Sequence, residues 1–347
     1  MKHKDPILQY YIPKTLSKKW LDQYLAAGWF RTVNMLFRSK VSCFDNTLCS
    51  PINIRFDLHD HVFSKSLQKL YRRNNALFRF EIKKASITRE KEALFQQQQK
   101  RFRGFLSNNL EEFLVLTYRF DTYEIDIYDD DRLVAVSYFD DGHLSMMGLL
   151  AIFDENYSKY SLGIYSMILE IEYAKSTGKR WYYPGYVHEG PSIYDYKLRF
   201  GKAQVYDWNT KRWNKHIHPY EAPNEADIIK FKMQQLEDEL KDFRIRFQTK
   251  IYLFFGWHYY SKNYESFFHC PLFVQLEDGS VVGYDADTEL YICLKWELHI
   301  PFRDIQLPLA PDFDHLVHFN DVMRVKEILF KSKYASDIAF YLFSKYI

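Results

Sequence analysis

The sequence predicts an α+β protein, a mixed and mainly antiparallel sheet with flanking helices, preceded by a basic α/β region and followed by a C-terminal α+β extension. Three observations carry this. Alternating strand-like runs begin at Phe113, one strongly apolar helix interrupts them near residue 162, and charge divides unevenly along the chain. Residues 1–105 hold 21 Lys and Arg against 8 Asp and Glu, whereas the remainder holds 26 against 37, so a net charge of only +2 hides a basic first region and an acidic remainder. That asymmetry fits a surface meeting a phosphate backbone, and equally two parts that attract each other within one fold. With 347 residues, 47% of them apolar, the chain can bury one core or two.

Taken in order, the first region, to about residue 110, mixes short strands such as Ile52 to Leu58 with helices over Ser64 to Arg73 and Thr88 to Arg103; the short QQQQ tract at Gln96 to Gln99 reads as helix surface. A core over residues 111–210 starts with the runs FLVLTYRF, TYEIDIYD, RLVAVSYFD and HLSMMGLLAIF, an antiparallel meander with turns at Asp129 to Asp131 and Asp140 to Gly142. A helix from about Leu162 to Thr177 follows, with Ile164, Met167, Ile168 and Ile171 on one face and Gly178 as its stop. A strand over Arg180 to Tyr186, a short helix over Ser192 to Phe200 and a strand over Ala203 to Trp208 complete an order similar to that of GNAT acyltransferases. Residues 211–250 read as a linker and an amphipathic helix from Glu225 to Phe247. Its apolar positions Ile229, Met233, Leu236, Leu240, Phe243 and Phe247 alternate spacings of four and three, which suits packing on the chain's own body or a dimer contact. Residues 251–347 alternate strands around a turn at Asp278 and Gly279 and close with a helix, and no motif assigns them a role.

The 28 Tyr and 29 Phe suit cores with polar edges turned to partners, with base stacking by exposed rings as the alternative. Cys43, Cys49, Cys270 and Cys293 form no CxxC and no standard zinc spacing, so a reduced, cytoplasmic setting is expected. The N-terminal MKHKDPILQYYIPK lacks a signal-peptide apolar core, and the longest apolar stretch, Ile251 to Trp257, is too short to cross a bilayer; no membrane association is expected.

The segment with most chemistry is SLGIYS, Ser161 to Ser166, where a strand gives way to the central helix. A helix N-terminus offers unpaired N–H groups and a positive dipole end, and Gly163 lets a phosphate approach the backbone. Coenzyme A enzymes use this place with Arg or Gln, then Gly, then Gly or Ala; the corresponding Tyr160, Gly163 and Tyr165 match at one position of three. The whole run SLGIYSMILEIEYAKSTGKRWYYPGYVHEGPSIYDYK resembles the arginyl-tRNA–protein transferase family, as does the strand pair RLVAVSYFDDGHLSMMGLLAIFDE before it. GWFRTVNMLFR, PINIRF, LYRRNNALFRF and LFQQQQKRFRG resemble that family's first domain. The likeness spans about residues 20–208 and includes the bacterial leucyl-type aspartate/glutamate transferases.

What the resemblance implies is an enzyme that moves an amino acid, arginine first, from aminoacyl-tRNA to the N-terminal α-amine of a protein beginning with Asp or Glu, as in protein arginylation in the N-degron pathway. No metal or organic cofactor is implied, because the ester is already activated and the protein need only position the amine, relay its proton and stabilise the oxyanion. Tyr183, Tyr186, His188, Tyr196 and Lys197 are the implied catalytic group, with Gly185 and Lys197 meeting the acceptor. Arg31, Arg38, Arg55, Arg72, Arg73, Asn74, Ser161, Gly163 and Tyr165 are the implied aminoacyl-tRNA contacts, with residues 1–110 as the tRNA-binding domain. Each Tyr has core packing as its alternative, Lys197 a solvated helix position, His188 polar surface, and each Arg an ion pair. The sequence departs from the family's pattern: only Cys43 and Cys49 stand where a cysteine cluster is usual, Val33 replaces Gly, Ile164 replaces Thr, and IYDYK is one residue longer and lacks a Met. An acyltransferase using another donor such as acyl-CoA, and an inactive relative that binds RNA or protein, are the other readings.

Overall fold

A computed structural model describes residues 6–44, 46–100, 107–115, 119–256, 266–299, 314–319 and 321–345. The first 115 residues supply β1 (Leu8–Tyr11), α1 (Lys18–Ala26), β2 (Phe30–Thr32), β3 (Met35–Ser39), β4 (Ser42–Phe44), β5 (Thr47–Cys49), β6 (Pro51–Asp57), α2 (Lys65–Asn75), β7 (Arg79–Lys84), α3 (Arg89–Gln99) and α4 (Leu110–Leu114). Ser17, Ser64, Thr88 and Asn109 start the four helices, each side chain accepting an N–H of the first turn. Residues 101–103, expected to end the third helix, lie outside the described residues. The strand expected at FLVLTYRF is corrected. Phe113 and Leu114 belong to α4, which Asn109 caps, while residues 116–118 lie outside the described residues.

The expected meander forms as β8 (Thr122–Asp129), β9 (Arg132–Asp141) and β10 (Ser145–Phe153), antiparallel throughout. Then come α5 (Leu162–Ser176), β11 (Trp181–Tyr183), β12 (Tyr186–His188), β13 (Gln204–Asp207) and β14 (Arg212–Asn214). Gly178 does end α5: at φ +74 it takes a left-handed conformation that a side chain would oppose. The single strand expected over Arg180 to Tyr186 is broken at Pro184 and Gly185, where φ is +92. Only the end of the expected helix over Ser192 to Phe200 is helical, one 3-10 segment over Asp195–Phe200. The expected connection after residue 208 contains β14, which returns antiparallel on β13.

These strands form one nine-stranded sheet in the order β14-β13-β6-β11-β10-β9-β8-β7, with β12 also paired to β6. Two strands from the first 110 residues, β6 and β7, thus lie in the same sheet as the meander. β10 and β11 run parallel from Ser145–Trp181 to Met147–Tyr183 and then part, and the next step of β10 is irregular between Gly148 and Leu150. One face of the sheet packs Phe56, Ile125, Ile127, Phe139, Met146 and Tyr182 under α5 and α2. The other carries α3 and α4 over Tyr138 and Ile152, and α1 with β2 and β3 over Met147 and Tyr183.

α6 (Glu225–Asp242), capped by Asn224, leads into a six-stranded sheet of β15 (Phe247–Tyr252), β16 (Leu272–Leu276), β17 (Val281–Asp285), β18 (Leu290–Leu298), β19 (His318–Phe319) and β20 (Met323–Ser332), and the closing helix is α7 (Ala335–Phe343). The turn at Asp278 and Gly279 joins β16 to β17 as expected. α6 stops five residues before Phe247, because Arg244 turns left-handed at φ +56 and Phe247 opens β15. Ile229, Met233, Leu236 and Leu240 are buried against this second sheet, so the seam of α6 is covered by its own chain rather than by a partner copy. No helix among the described residues is long and apolar enough to cross a membrane.

Candidate active site

Two neighbourhoods gather most of the residues singled out by the sequence. The first is the N-terminus of α5. Asn74, fully buried at the end of α2, donates from Nδ2 to the Tyr160 carbonyl at 2.8 Å, and Arg73 donates to the same oxygen at 3.1 Å. Arg73 also donates to Asn74 Oδ1 at 3.0 Å. This clamp fixes the turn in which Ser161, left-handed at φ 54, accepts the amides of Ile164 and Tyr165 into its carbonyl. Arg72 and Arg73 stay exposed beside it. Gly163 faces Phe153, where an added methyl would make ordinary contact at 3.5 Å, so packing alone does not require glycine there. Tyr165 points into the core, fully buried, with its hydroxyl pushed upward by burial.

Other expected RNA contacts lie elsewhere. Arg31 is buried: its guanidinium donates to Asp140 Oδ1 and Thr122 Oγ1, both at 2.7 Å, and to the Leu114 carbonyl, and it covers the Phe120 ring. Arg38 is held by Ala27 and Gln9 between the rings of Trp29 and Trp208. Both charges are committed inside the fold, which corrects the expectation that they face RNA. Arg55 is half-buried over Trp181, 3.6 Å from the ring centre, with Trp213 at 4.5 Å, and donates to the Tyr183 hydroxyl at 3.2 Å.

The second neighbourhood begins where β10 and β11 part. The strand break at Pro184 and Gly185 turns the chain onto β6, with Ile54 donating to the Gly185 carbonyl at 3.1 Å. Lys197 reaches back under this break and donates from Nζ to the Tyr186 carbonyl at 2.9 Å, with the Tyr186 and Tyr194 rings 5.3 and 4.9 Å away. A methyl on Gly185 would sit 3.5 Å from that nitrogen. Part of the Lys197 stem remains at the surface, but the ammonium lies inward, and burial pulls its pKa down to about 7. Among the described residues no carboxylate pairs with it. His188 stacks on Tyr186 and meets the edge of Tyr194, with Cys49 Sγ 3.8 Å from its Nε2. Tyr186, His188, Lys197 and Gly185 are therefore brought together, and Tyr183 sits on the adjoining strand with Arg55. Tyr196 is 41% exposed as a residue, and burial first and the Glu170 charge second raise its hydroxyl to about 12.

Two residues here escaped the reading of the sequence. Tyr194 packs its ring 4.9 Å from the Lys197 ammonium and was legible only as a ring three positions before that lysine. Glu170 is buried between α5 and the sheet, bonded to Ser137 and, at 2.5 Å, to the Tyr182 hydroxyl. Its signal was a carboxylate inside the apolar run Met167 to Ile171. Among the described residues no group of three or more His, Cys, Asp and Glu could hold a metal ion, and none of the four cysteines forms a disulfide.

Comparison with known proteins matches residues 73–207 to the family model described as arginine-tRNA-protein transferase, C terminus. An aspartate/glutamate leucyltransferase of Leptospira interrogans is 26% identical over 217 residues, 59% of this chain and 82% of that protein. One of Helicobacter hepaticus is 25% identical over 210 residues, 58% and 85% of the two chains. Among solved structures, L-PGS from Bacillus licheniformis superimposes with a TM-score of 0.32 at 13% identity, over 42% of this chain and 49% of that one, so the match spans about half its length. FemX gives 0.36 at 10% identity, over 59% and 68%.

Proposed function

We propose that this chain, whose residues 73–207 belong to the arginine-tRNA-protein transferase family, is an aminoacyltransferase that moves an amino acid from aminoacyl-tRNA to the N-terminal α-amine of a protein. The observation that carries the reading is the family match over the segment that holds both the α5 N-terminus and the Lys197 pocket. In this reading the amine attacks the ester carbonyl, the bond to the ribose oxygen breaks, and the amine's proton passes to that oxygen. The core is GNAT-like, with the donor's acyl end entering where β10 and β11 part. Arg72 and Arg73 meet the tRNA backbone near Ser161, and residues 1–110 lend that surface its charge.

Lys197 meets the side chain of an acceptor beginning with Asp or Glu. A buried ammonium without a carboxylate partner is costly, and an incoming carboxylate relieves that cost in a water-poor pocket. Tyr186, Tyr194 and His188 shape the pocket's walls. The donated amino acid is proposed as arginine from the family model's description, with leucine as the alternative carried by the leucyltransferase relatives. The exposed Ile228 and Phe231 on the outer face of α6, rather than its buried seam, are the surface left for any dimer contact by this helix. The direct test incubates the protein with labelled Arg-tRNA or Leu-tRNA and peptides beginning with Asp, Glu or Ala. Transfer to the acidic peptides is expected; no product from any aminoacyl-tRNA would remove the reading and leave an RNA- or protein-binding relative. An acyl-CoA donor is disfavoured by Tyr165, which fills the core at the turn that would cradle its pyrophosphate. Calorimetry with acetyl-CoA should show no binding.

A further inference from the structure

The carboxyl of Glu170 lies at the point where the sheet opens. Its two oxygens bridge the sheet beneath β10, one accepting from Ser137 on β9 and the other from the Tyr182 hydroxyl on β11. Gly148 on the intervening β10 has no side chain in the way: a methyl there would fall 2.8 Å from both Glu170 Oε2 and the Tyr182 hydroxyl oxygen. β10 takes its irregular step at this residue, one beyond the last β10–β11 pair at Met147 and Tyr183. The hydrogen-bonded carboxyl thus crosses under the strand at the edge of the gap, and its charge also acts on the Tyr196 hydroxyl.

We infer that Glu170 is a positioning residue for the transfer: as a carboxylate held by Ser137 and Tyr182 it fixes the separation of β10 and β11, and so the gap that receives the donor's aminoacyl end. The inference rests on the function proposed above. As an anion, Glu170 accepts from both hydroxyls at once. Once protonated it must itself donate to one of them, so one hydroxyl has to turn round with little buried room to do so. Tyr182 and Tyr196 are the titratable groups whose interaction with Glu170 is resolved, from β11 and from the 3-10 segment; Ser137 from β9 and Gly148 from β10 bring none.

The surroundings place the change of state in the working range. Burial pushes the Glu170 carboxyl up to about 7 against the lowering effect of its two hydrogen bonds. The sign of the linkage is then fixed. A carboxyl whose folded pKa is raised favours the fold most below its unfolded value, and that contribution is lost as pH rises through about 7. The form proposed to be active is therefore the less stable one, which separates this role from that of an ordinary structural glutamate.

The test compares wild type with E170Q, an isostere that cannot ionise, using the full chain, saturating aminoacyl-tRNA and an Asp-initiated peptide between pH 5.5 and 8.5. Wild-type kcat should rise through about pH 7. E170Q should be at least about tenfold slower at pH 8 and keep only the rise set by deprotonation of the acceptor's α-amine, at roughly 7.7–8.0, with peptide KM little changed, because only the carboxylate form holds both hydroxyls. Thermal unfolding should show E170Q melting above wild type at pH 8 and level with it at pH 4.5. Y182F, which keeps the ring and removes one donor, should also lower kcat at pH 8. Wild-type kcat and pH response in E170Q, or a loss of melting temperature that tracks the loss of rate, would overturn the inference. Absence of transfer by wild type itself would instead strike at the proposed function, while the pH-dependent melting difference would still report the buried carboxyl.

Discussion

At the scale of single residues, the part of the site legible in the sequence was the part whose chemistry is local. Gly185, Tyr186, His188 and Lys197 lie within thirteen positions of one another, and the break after Tyr183 folds them together. Arg31 and Arg38 read as free cations because nothing nearby in sequence opposes them. Asp140, which holds Arg31, is 109 positions away. The Lys197 pocket yields a residue-scale prediction. Lys197→Met should raise KM for Asp- and Glu-initiated peptides by about 10–100-fold through loss of one charge-assisted contact, with tRNA affinity unchanged, as steady-state kinetics and filter binding would show. The wild-type enzyme should bind such peptides best with Lys197 protonated, so their KM should climb as pH rises above about 7.

Elements were legible where hydrophobic period and punctuation agreed. The helix over 162–176 has its glycine stop, β16 and β17 flank a DG turn, and β8 to β10 alternate between polar turns. Misreadings followed where tertiary pairing set the outcome. The run at 113–120 has strand composition but begins in a capped helical turn, and the apolar period of α6 continues through Phe247 although Arg244 has already reversed the chain. Two element-scale outcomes follow. Leu236→Ala, on the buried seam of α6, should cost about 2–5 kcal/mol in chemical denaturation, since the side chain is fully enclosed against the second sheet. Gly148→Ala should cost about 1–3 kcal/mol by overpacking and reduce transfer, because its methyl would press on the Glu170–Tyr182 hydrogen bond.

Across the whole molecule, the charge division was visible in the sequence, but its geometry was not. Strand β6 of the basic region lies inside the sheet between β13 and β11, and β7 closes its edge beside the meander, so the basic and acidic parts share one layer. Such pairings join residues more than 120 positions apart, as Asp57 with Trp181 does, and leave no local signature. The exposed charge that remains near α5 should govern tRNA binding. Arg72→Glu with Arg73→Glu is expected to weaken it sharply and to flatten its dependence on salt, measured by titration over a range of potassium chloride concentrations; unchanged binding would move the RNA surface elsewhere.

The Ile7 amide donates to Asp287 Oδ1 at 2.8 Å, across 280 positions, and Ile7 and Leu8 are buried in the core of the second sheet. On a ribosome adding roughly 5–20 residues per second, these early residues wait on the order of 15–60 s for the partners that shelter them. During that time Ile7, Leu8, Val41 and Leu48 are apolar surface on an unfinished chain. All four are thus sheltered only once the second sheet that buries them has been made.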